Sequence, residues 1–314
     1  METEKSPVVL PARVVSNLKL LCDVAMENGS EISLKDLIAL TSIDFTEDEL
    51  AKSWENYTEL SRYRVASGVV QGKVGDREKL QGWISRFERA NSNITFAGEF
   101  GALLGKRDSS FKVLSISGST SYLSVSETDD LDFFCVAKSG EMWNSFVRAL
   151  ILARMFRLSR KNSPWVCLSY VSDEDFVRRE FSKNKNGLYA RDAIATRVVY
   201  GEEYYQELLR ENSWMSSYFP KLYGLRVTAS AGRLGKSHKA TAVDRIINLF
   251  LFCTAGTYIR IKSNLLNRKF SRDRKFSSLF KLRIGADHCI YESADYVKLR
   301  KLYSALQKES TGRQ

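Results

Sequence analysis

The residues of this chain best suited to chemistry are two carboxylates and a glycine turn. Ser115-Ile116-Ser117-Gly118-Ser119-Thr120 is followed, eleven positions after Ser119, by Asp130-Leu131-Asp132, which runs straight into Phe133-Phe134-Cys135-Val136. An apolar run of this kind predicts a buried strand over 131–137, and on a strand residues i and i+2 share one face. Asp130 and Asp132 then stand together at the start of that strand. Like charges a few ångströms apart repel, and burying them is costly unless a cation lies between them. Hard oxygen donors suit Mg²⁺, or Mn²⁺, with water and phosphate oxygens filling the remaining positions, rather than zinc. Asp130 and Asp132 are therefore the expected metal ligands and catalytic carboxylates. Upstream, Gly118 lets the backbone approach a ligand closely and Ser119 adds a hydroxyl donor, as binding a triphosphate requires. The plainer alternative is a capped strand start on an exposed sheet edge; the apolar residues that follow favour a central strand.

Several elements must position this constellation. Residues 77–105 read as an amphipathic helix, Val113-Leu114-Ser115-Ile116 begins an α/β unit, Met142 to Leu158 is a helix with Trp143, Phe146, Val147, Leu150 and Ile151 inward, and Trp165 to Val171 is another strand. Ahead of them, apolar residues from Val14 to Ala25 recur at helical spacing, Ser33-Leu34-Lys35-Asp36-Leu37 starts a second helix, and Thr46-Glu47-Asp48-Glu49 caps a third that reaches Leu60. Arg62 to Lys73 then predicts a hairpin around Gly68 and Gly72. That order is the order of a winged helix-turn-helix. Its third helix, however, carries four Glu and one Asp against Lys52 alone, which suits a packing module better than a phosphate-contacting one. From Leu188 onward the chain predicts mostly helix, broken at Pro220, over Gly232 to Gly235 and near Gly285. The expected class is α+β, with a winged-helix-like domain at 13–75, an α/β domain with a small mixed sheet flanked by helices at 76–224, and a basic helical region at 225–314.

A Gly-Ser turn, a spacer of this length and an Asp-x-Asp strand start resemble the DNA polymerase β nucleotidyltransferase superfamily. Downstream, Leu188-Tyr189-Ala190-Arg191-Asp192-Ala193, Tyr200-Gly201-Glu202-Glu203-Tyr204, Asn212-Ser213-Trp214 and Tyr218-Phe219-Pro220 are similar to prokaryotic nucleotidyltransferase-domain proteins with an amino-terminal winged-helix-like region and a helical tail. The resemblance covers roughly residues 15–224. It implies magnesium-dependent transfer of a nucleoside monophosphate from a nucleoside triphosphate to an acceptor, with Gly118 and Ser119 holding the β- and γ-phosphates and Asp130 and Asp132 the metals. Superfamily members usually add a third carboxylate from a later strand. The strand Val166 to Val171 contains none, so Asp173, just past its end, is the candidate for that role. Thr128-Asp129-Asp130 stands where many members have Ser-Asp, and alternation turns Asp129 away from Asp130.

Charge supplies the expected partner. Residues 1–224 hold 29 Lys+Arg and 31 Asp+Glu, whereas residues 225–314 hold 19 and 6, so the whole formal excess of +11 resides in a tail of +13. Its densest run, Arg260 to Arg283, includes Arg268, Lys269, Arg272, Arg274 and Lys275, interleaved with Phe270, Phe276 and Phe280. These five are the expected RNA contacts, with an RNA, such as a tRNA end, as acceptor; a solvated helical face over an ordinary core is the alternative. A small-molecule or protein acceptor, and a non-catalytic nucleic-acid-binding or regulatory protein on the same fold, remain open at this point.

Other features exclude more than they suggest. A chain of 314 residues with 44% hydrophobic and 27% charged residues, 4 Pro and 18 Gly is neither low-complexity nor coiled-coil. Five scattered cysteines without a Cys-x-x-Cys pair point away from a disulfide framework and towards a reducing cytoplasm. The acidic start, Met1-Glu2-Thr3-Glu4-Lys5, is unlike a secretory signal. Ile246 to Ile259 is the most apolar stretch, shorter than the roughly 20 residues of a span, and is expected to be a buried helix with no membrane partner. Gly232 to Ser237 ends like a P-loop, but Ser230 stands where its first glycine belongs. His238 and His288 have no motif around them. Arg191, Asp192 and Arg197 on the next helix suit either nucleotide contact or a helix-surface ion-pair group, and Tyr189, Tyr204, Tyr205 and Trp214 either base stacking or, as the commoner role, core; none is assigned to the site.

Overall fold

The computed structural model describes residues 9–27, 31–41, 43–72, 77–107, 110–160, 163–183, 185–227, 240–273, 279–294 and 296–301. It is a mixed α+β structure with two sheets. The first body comprises α1 (Ala12–Glu27), β1 (Ile32–Ser33), α2 (Leu34–Leu40), α3 (Glu47–Trp54), β2 (Tyr63–Ala66) and β3 (Val69–Gly72). Local chemistry sets each start: Ser33 accepts from the Asp36 N–H, and Thr46 and Glu49 cap α3 reciprocally. The third helix is shorter than expected, ending at Trp54 before a separate 3₁₀ turn at Thr58–Leu60. Ser67 and Gly68, at φ of 52° and 74°, turn the hairpin, and its sheet has the order β1-β3-β2. Leu18, Leu37, Leu50, Trp54 and Val70 close the core beneath it.

The second sheet positions the candidate site. α4 (Arg77–Arg107) leads to β4 (Phe111–Ile116), α5 (Gly118–Ser121), β5 (Leu131–Ala137), α6 (Met142–Leu158), β6 (Val166–Asp173), α7 (Glu174–Lys183), α8 (Gly187–Ala195), β7 (Arg197–Tyr200), α9 (Glu202–Glu211) and α10 (Pro220–Arg226). β5 is central and reads as its apolar run requires: Phe133 and Cys135 pack with α4 and α6, Phe134 and Val136 with α7 and α9. Each such side chain, fully buried, contributes about 1.5–3 kcal/mol. Asp132, inside β5, carries the parity of Phe134 and Val136, while Asp130 immediately precedes the strand.

The carboxy-terminal region departs from expectation twice. It is not purely helical: after α11 (Ala242–Leu251), a π turn and α12 (Thr257–Arg272), β8 (Phe280–Ile284) and β9 (His288–Ser293) enter the central sheet, giving the order β7-β4-β5-β6-β9-β8. Phe280, Leu282 and Ile284 alternate with Lys281 and Arg283, so part of the basic run is a strand, and Arg283 pairs with Glu180 at 3.0 Å. Nor is Ile246 to Ile259 buried. Ala242–Arg272 forms one helix long and apolar enough to cross a membrane by length and composition, yet only its inward side chains, such as Asn248, Ile259 and Ser263, are covered by α6 and the β8–β9 hairpin. His238 and Gly232 to Ser237 lie outside the described residues.

Candidate active site

β4 ends against the start of β5, and the two are tied by the Ser117 N–H donating to the Asp132 carbonyl at 2.9 Å. The chain turns there through Gly118 at φ +63°. A Cβ on Gly118 would lie 2.6 Å from Asp132 Oδ2, so only glycine admits both the left-handed turn and the carboxylate below it. Ser121 Oγ donates to the Gly118 carbonyl at 2.8 Å and the Ser124 N–H to the Ser119 carbonyl at 3.0 Å, which closes α5 into a compact loop. Gly118 and Asp130 are exposed, while Ser119 and Asp132 are half-buried, so the cleft opens to solvent.

The electrostatics of the pair follow from this placement. Burial is the largest cause, and the charge of Asp130 the next, that push the Asp132 carboxyl up to about 7; hydrogen bonds from Cys167 and Ser169 oppose them. Asp130, exposed as a residue but with its carboxyl partly desolvated, is also raised, by that desolvation and then by Asp129, against the nearby Arg157 guanidinium. Arg157 itself stacks on Trp165, 3.3 Å from the ring centre. Asp129 accepts from the Ser126 N–H at 3.0 Å and from Ser126 Oγ at 2.6 Å, so its carboxylate is occupied in its own turn.

Asp173 is not part of this cleft. β5 and β6 are parallel, with Asp132 opposite Cys167 and Asp173 opposite Ala137. The six residues from 167 to 173, at about 3.3 Å each, carry Asp173 roughly 20 Å along the sheet to its other end. There it accepts from the Phe176 N–H at 2.9 Å and the Gly140 N–H at 3.4 Å and caps α7. The expectation of a third catalytic carboxylate at Asp173 is thus corrected. The β6 groups that reach Asp132 are Cys167 and Ser169, and burial holds the Cys167 thiol well above its usual range, as a neutral donor.

Tyr122 joins the site without a sequence signal of its own, together with Arg191, Asp192 and Arg197. Arg191, 7% exposed and paired with Asp192 at 2.7 Å, lies over the Tyr122 ring, and Tyr122 donates to Asp192 at 2.6 Å. Arg197 Nε donates to the Ser121 carbonyl at 3.0 Å. The expected Arg191–Asp192 ion pair exists, but it buttresses the Gly118 loop instead of lying on a helix surface. Tyr204 and Tyr205 are buried, as core readings require.

The basic cluster sits at the same end of the sheet. β6 pairs Tyr170 with Ile290, and extending that register by three sets Ser293 across from Cys167; Ser293 in turn pairs with Phe280 of β8. Asn267 of α12 bonds both backbone groups of Phe280, at 2.8 and 3.2 Å. Exposed Arg268, Lys269 and Arg272 follow directly. Three strand spacings of about 4.8 Å separate β8 from β5, roughly 14 Å sideways. Arg274 and Lys275 lie outside the described residues. No family model, curated protein or solved structure matches this chain.

Proposed function

We propose that this chain is a Mg²⁺-dependent nucleotidyltransferase acting on an RNA end, and that its central domain has the polymerase β-like fold. The observation that carries the reading is the Gly118 turn set directly over Asp132, with Asp130, just before the strand, close enough for its charge to raise the Asp132 carboxyl. Two adjacent carboxylates, one of them driven towards neutrality for want of a counter-charge, are a donor set that fits a divalent cation of the Mg²⁺ or Mn²⁺ kind. Asp130 and Asp132 would hold it. Bound there with a nucleoside triphosphate, the ion supplies charge neutralisation at the reacting phosphates. The chain's own part is to seat the β- and γ-phosphates against Gly118 and Ser119 and to keep that loop rigid through Arg197, Tyr122 and the Arg191–Asp192 pair. The acceptor oxygen then bonds to the α-phosphorus as the bond to pyrophosphate breaks. Arg268, Lys269 and Arg272, on the same end of the sheet, support an RNA as the molecule that brings that oxygen. The amino-terminal body is read as a winged helix that serves packing, since α3 exposes Glu47 and Asp48.

One observation favours a second reading. Among the described residues, the β6 side chains that reach Asp132 are a thiol and a hydroxyl, so no carboxylate from that strand takes the acceptor's proton. A protein that binds nucleotide and RNA without turnover would have this feature. Both are separated by incubating the chain with each α-labelled nucleoside triphosphate, Mg²⁺ and total cellular RNA, beside an Asp130→Ala, Asp132→Ala double variant. Label on RNA with the wild type alone supports transfer. Metal-dependent nucleotide binding with no label on RNA, on a small molecule or on protein supports the regulatory reading instead.

A further inference from the structure

The long helix Ala242–Arg272 leaves an apolar stripe facing outward that the transfer reading does not use. Val243, Ile246, Phe250, Tyr258, Ile261 and Leu265 are each between 56% and 68% exposed, and their spacing, with the π turn between Phe250 and Tyr258, keeps them along one side of a helix. At about 1.5 Å per residue, the 23 residues from 243 to 265 run for roughly 35 Å. Monomeric proteins rarely expose a contiguous apolar patch of more than a few hundred Å² without a partner for it.

Charge decides what that partner is. Residues 243–265 contain Arg245, Arg260 and Lys262 and a single acid, Asp244, whose carboxylate is taken up by the capping box with Thr241, so the flanks of the stripe are predominantly basic. A second copy laid stripe on stripe would bury the apolar side chains but set three cations of each copy against those of the other, with only the cap-bound Asp244 to offset them. An RNA would satisfy the cations and leave the isoleucines and phenylalanine in water. A bilayer surface carrying anionic headgroups offers both a negative layer and an apolar layer beneath it. We propose that this face docks on an anionic membrane surface.

The helix lies on that surface and does not cross it. Asn248 Oδ1 accepts from the Trp143 N–H at 2.6 Å and its amide donates to the Ala286 carbonyl at 3.2 Å; Arg260 donates to the Ile284 carbonyl at 3.3 Å; Asn267 bonds Phe280. These bonds fasten the helix along its length to α6 and the β8–β9 hairpin, so a transmembrane position would require stripping it from the folded body. The proposal is independent of nucleotidyl transfer, because its stripe ends before Arg268.

Flotation of the full chain with phosphatidylcholine vesicles, and with vesicles containing phosphatidylglycerol, tests it. The expected result is recovery with the anionic vesicles, weakened by salt, and a loss of about tenfold or more in an Ile246→Asp, Phe250→Asp variant. Both side chains are exposed, so the variant is expected to unfold at the wild-type temperature, which a circular dichroism melt checks. Arg245→Glu, Lys262→Glu leaves the stripe intact and is expected to abolish the preference for anionic lipid. Absence of flotation with anionic vesicles, or flotation unchanged in the Asp variant, overturns the proposal. So does a wild-type dimer in sedimentation equilibrium that the Asp variant converts to monomer.

Discussion

Removing the charge of Asp132 while keeping its shape gives the sharpest test of how the cleft is built. Burial and the neighbouring Asp130 raise this carboxyl from 3.8 to about 7. In the unfolded chain neither cause operates. Because the folded-state value lies above the unfolded one, the stabilising contribution of the protonated group is complete below about pH 4, is lost as pH rises through about 7, and changes little beyond. At 1.36 kcal/mol per decade, the gap amounts to at most about 4 kcal/mol, of which about 3 kcal/mol falls between about pH 5 and pH 8. Asp132→Asn has no such term. Urea denaturation of both proteins without divalent metal, across that range, is therefore expected to show the wild type losing up to about 3 kcal/mol relative to the variant as pH rises. Mg²⁺ added at the alkaline end is expected to restore the wild type and leave the variant unchanged, since a ligand stabilises only the form that binds it. Parallel pH curves for the two proteins would refute the argument, because they would mean that the carboxylate ionises in the fold as freely as in water.

Other substitutions separate the roles assigned above. Gly118→Ala forces a left-handed alanine and a methyl group onto Asp132, and is expected to destabilise by about 1–2 kcal/mol and to abolish metal-dependent nucleotide binding in calorimetry. Asp173→Ala removes a helix cap at the far end of β6; it is expected to cost about 0.5–2 kcal/mol in a denaturation curve and to leave nucleotide binding intact. Replacing Arg268, Lys269 and Arg272 with Gln is expected to weaken RNA binding at all sequences and to lower its log-log salt slope by about one for each phosphate no longer neutralised.

What was legible in the sequence follows from where periodicity is unambiguous. β5 and α6 have the bounds their patterns predict, although Ile151, expected inward on α6, is 55% exposed. Asp132 was visible because the apolar run fixes its strand, whereas Asp130 stands one residue ahead of that strand and alternation does not place it. The hairpin at Gly68 was marked by its glycine. By contrast, β8 hid within a basic run: Lys281 and Arg283 drew attention to charge, although Phe280, Leu282 and Ile284 already alternated with them. Ala242–Arg272 carries apolar residues on more than one side, which read as a fully buried helix; the core covers Leu251, Phe252, Ala255 and Ile259, while a second apolar side faces outward. Asp173, Cys167 and Ser169 differ only in ladder register, which the sequence of one strand does not contain. The buttress of Tyr122, Arg191 and Arg197 joins segments about 70 residues apart and becomes visible only on folding.

Nucleotidyl transfer at this cleft requires that Asp130 and Asp132 hold a divalent cation beneath the Gly118 turn. Titrating the protein with Mn²⁺ in the presence of a non-hydrolysable nucleoside triphosphate analogue, and counting free Mn²⁺ by electron paramagnetic resonance, measures that directly. The predicted result is saturable, nucleotide-dependent binding to the wild type that disappears in both Asp130→Asn and Asp132→Asn. Binding undiminished in either variant, or no binding to the wild type, would contradict it.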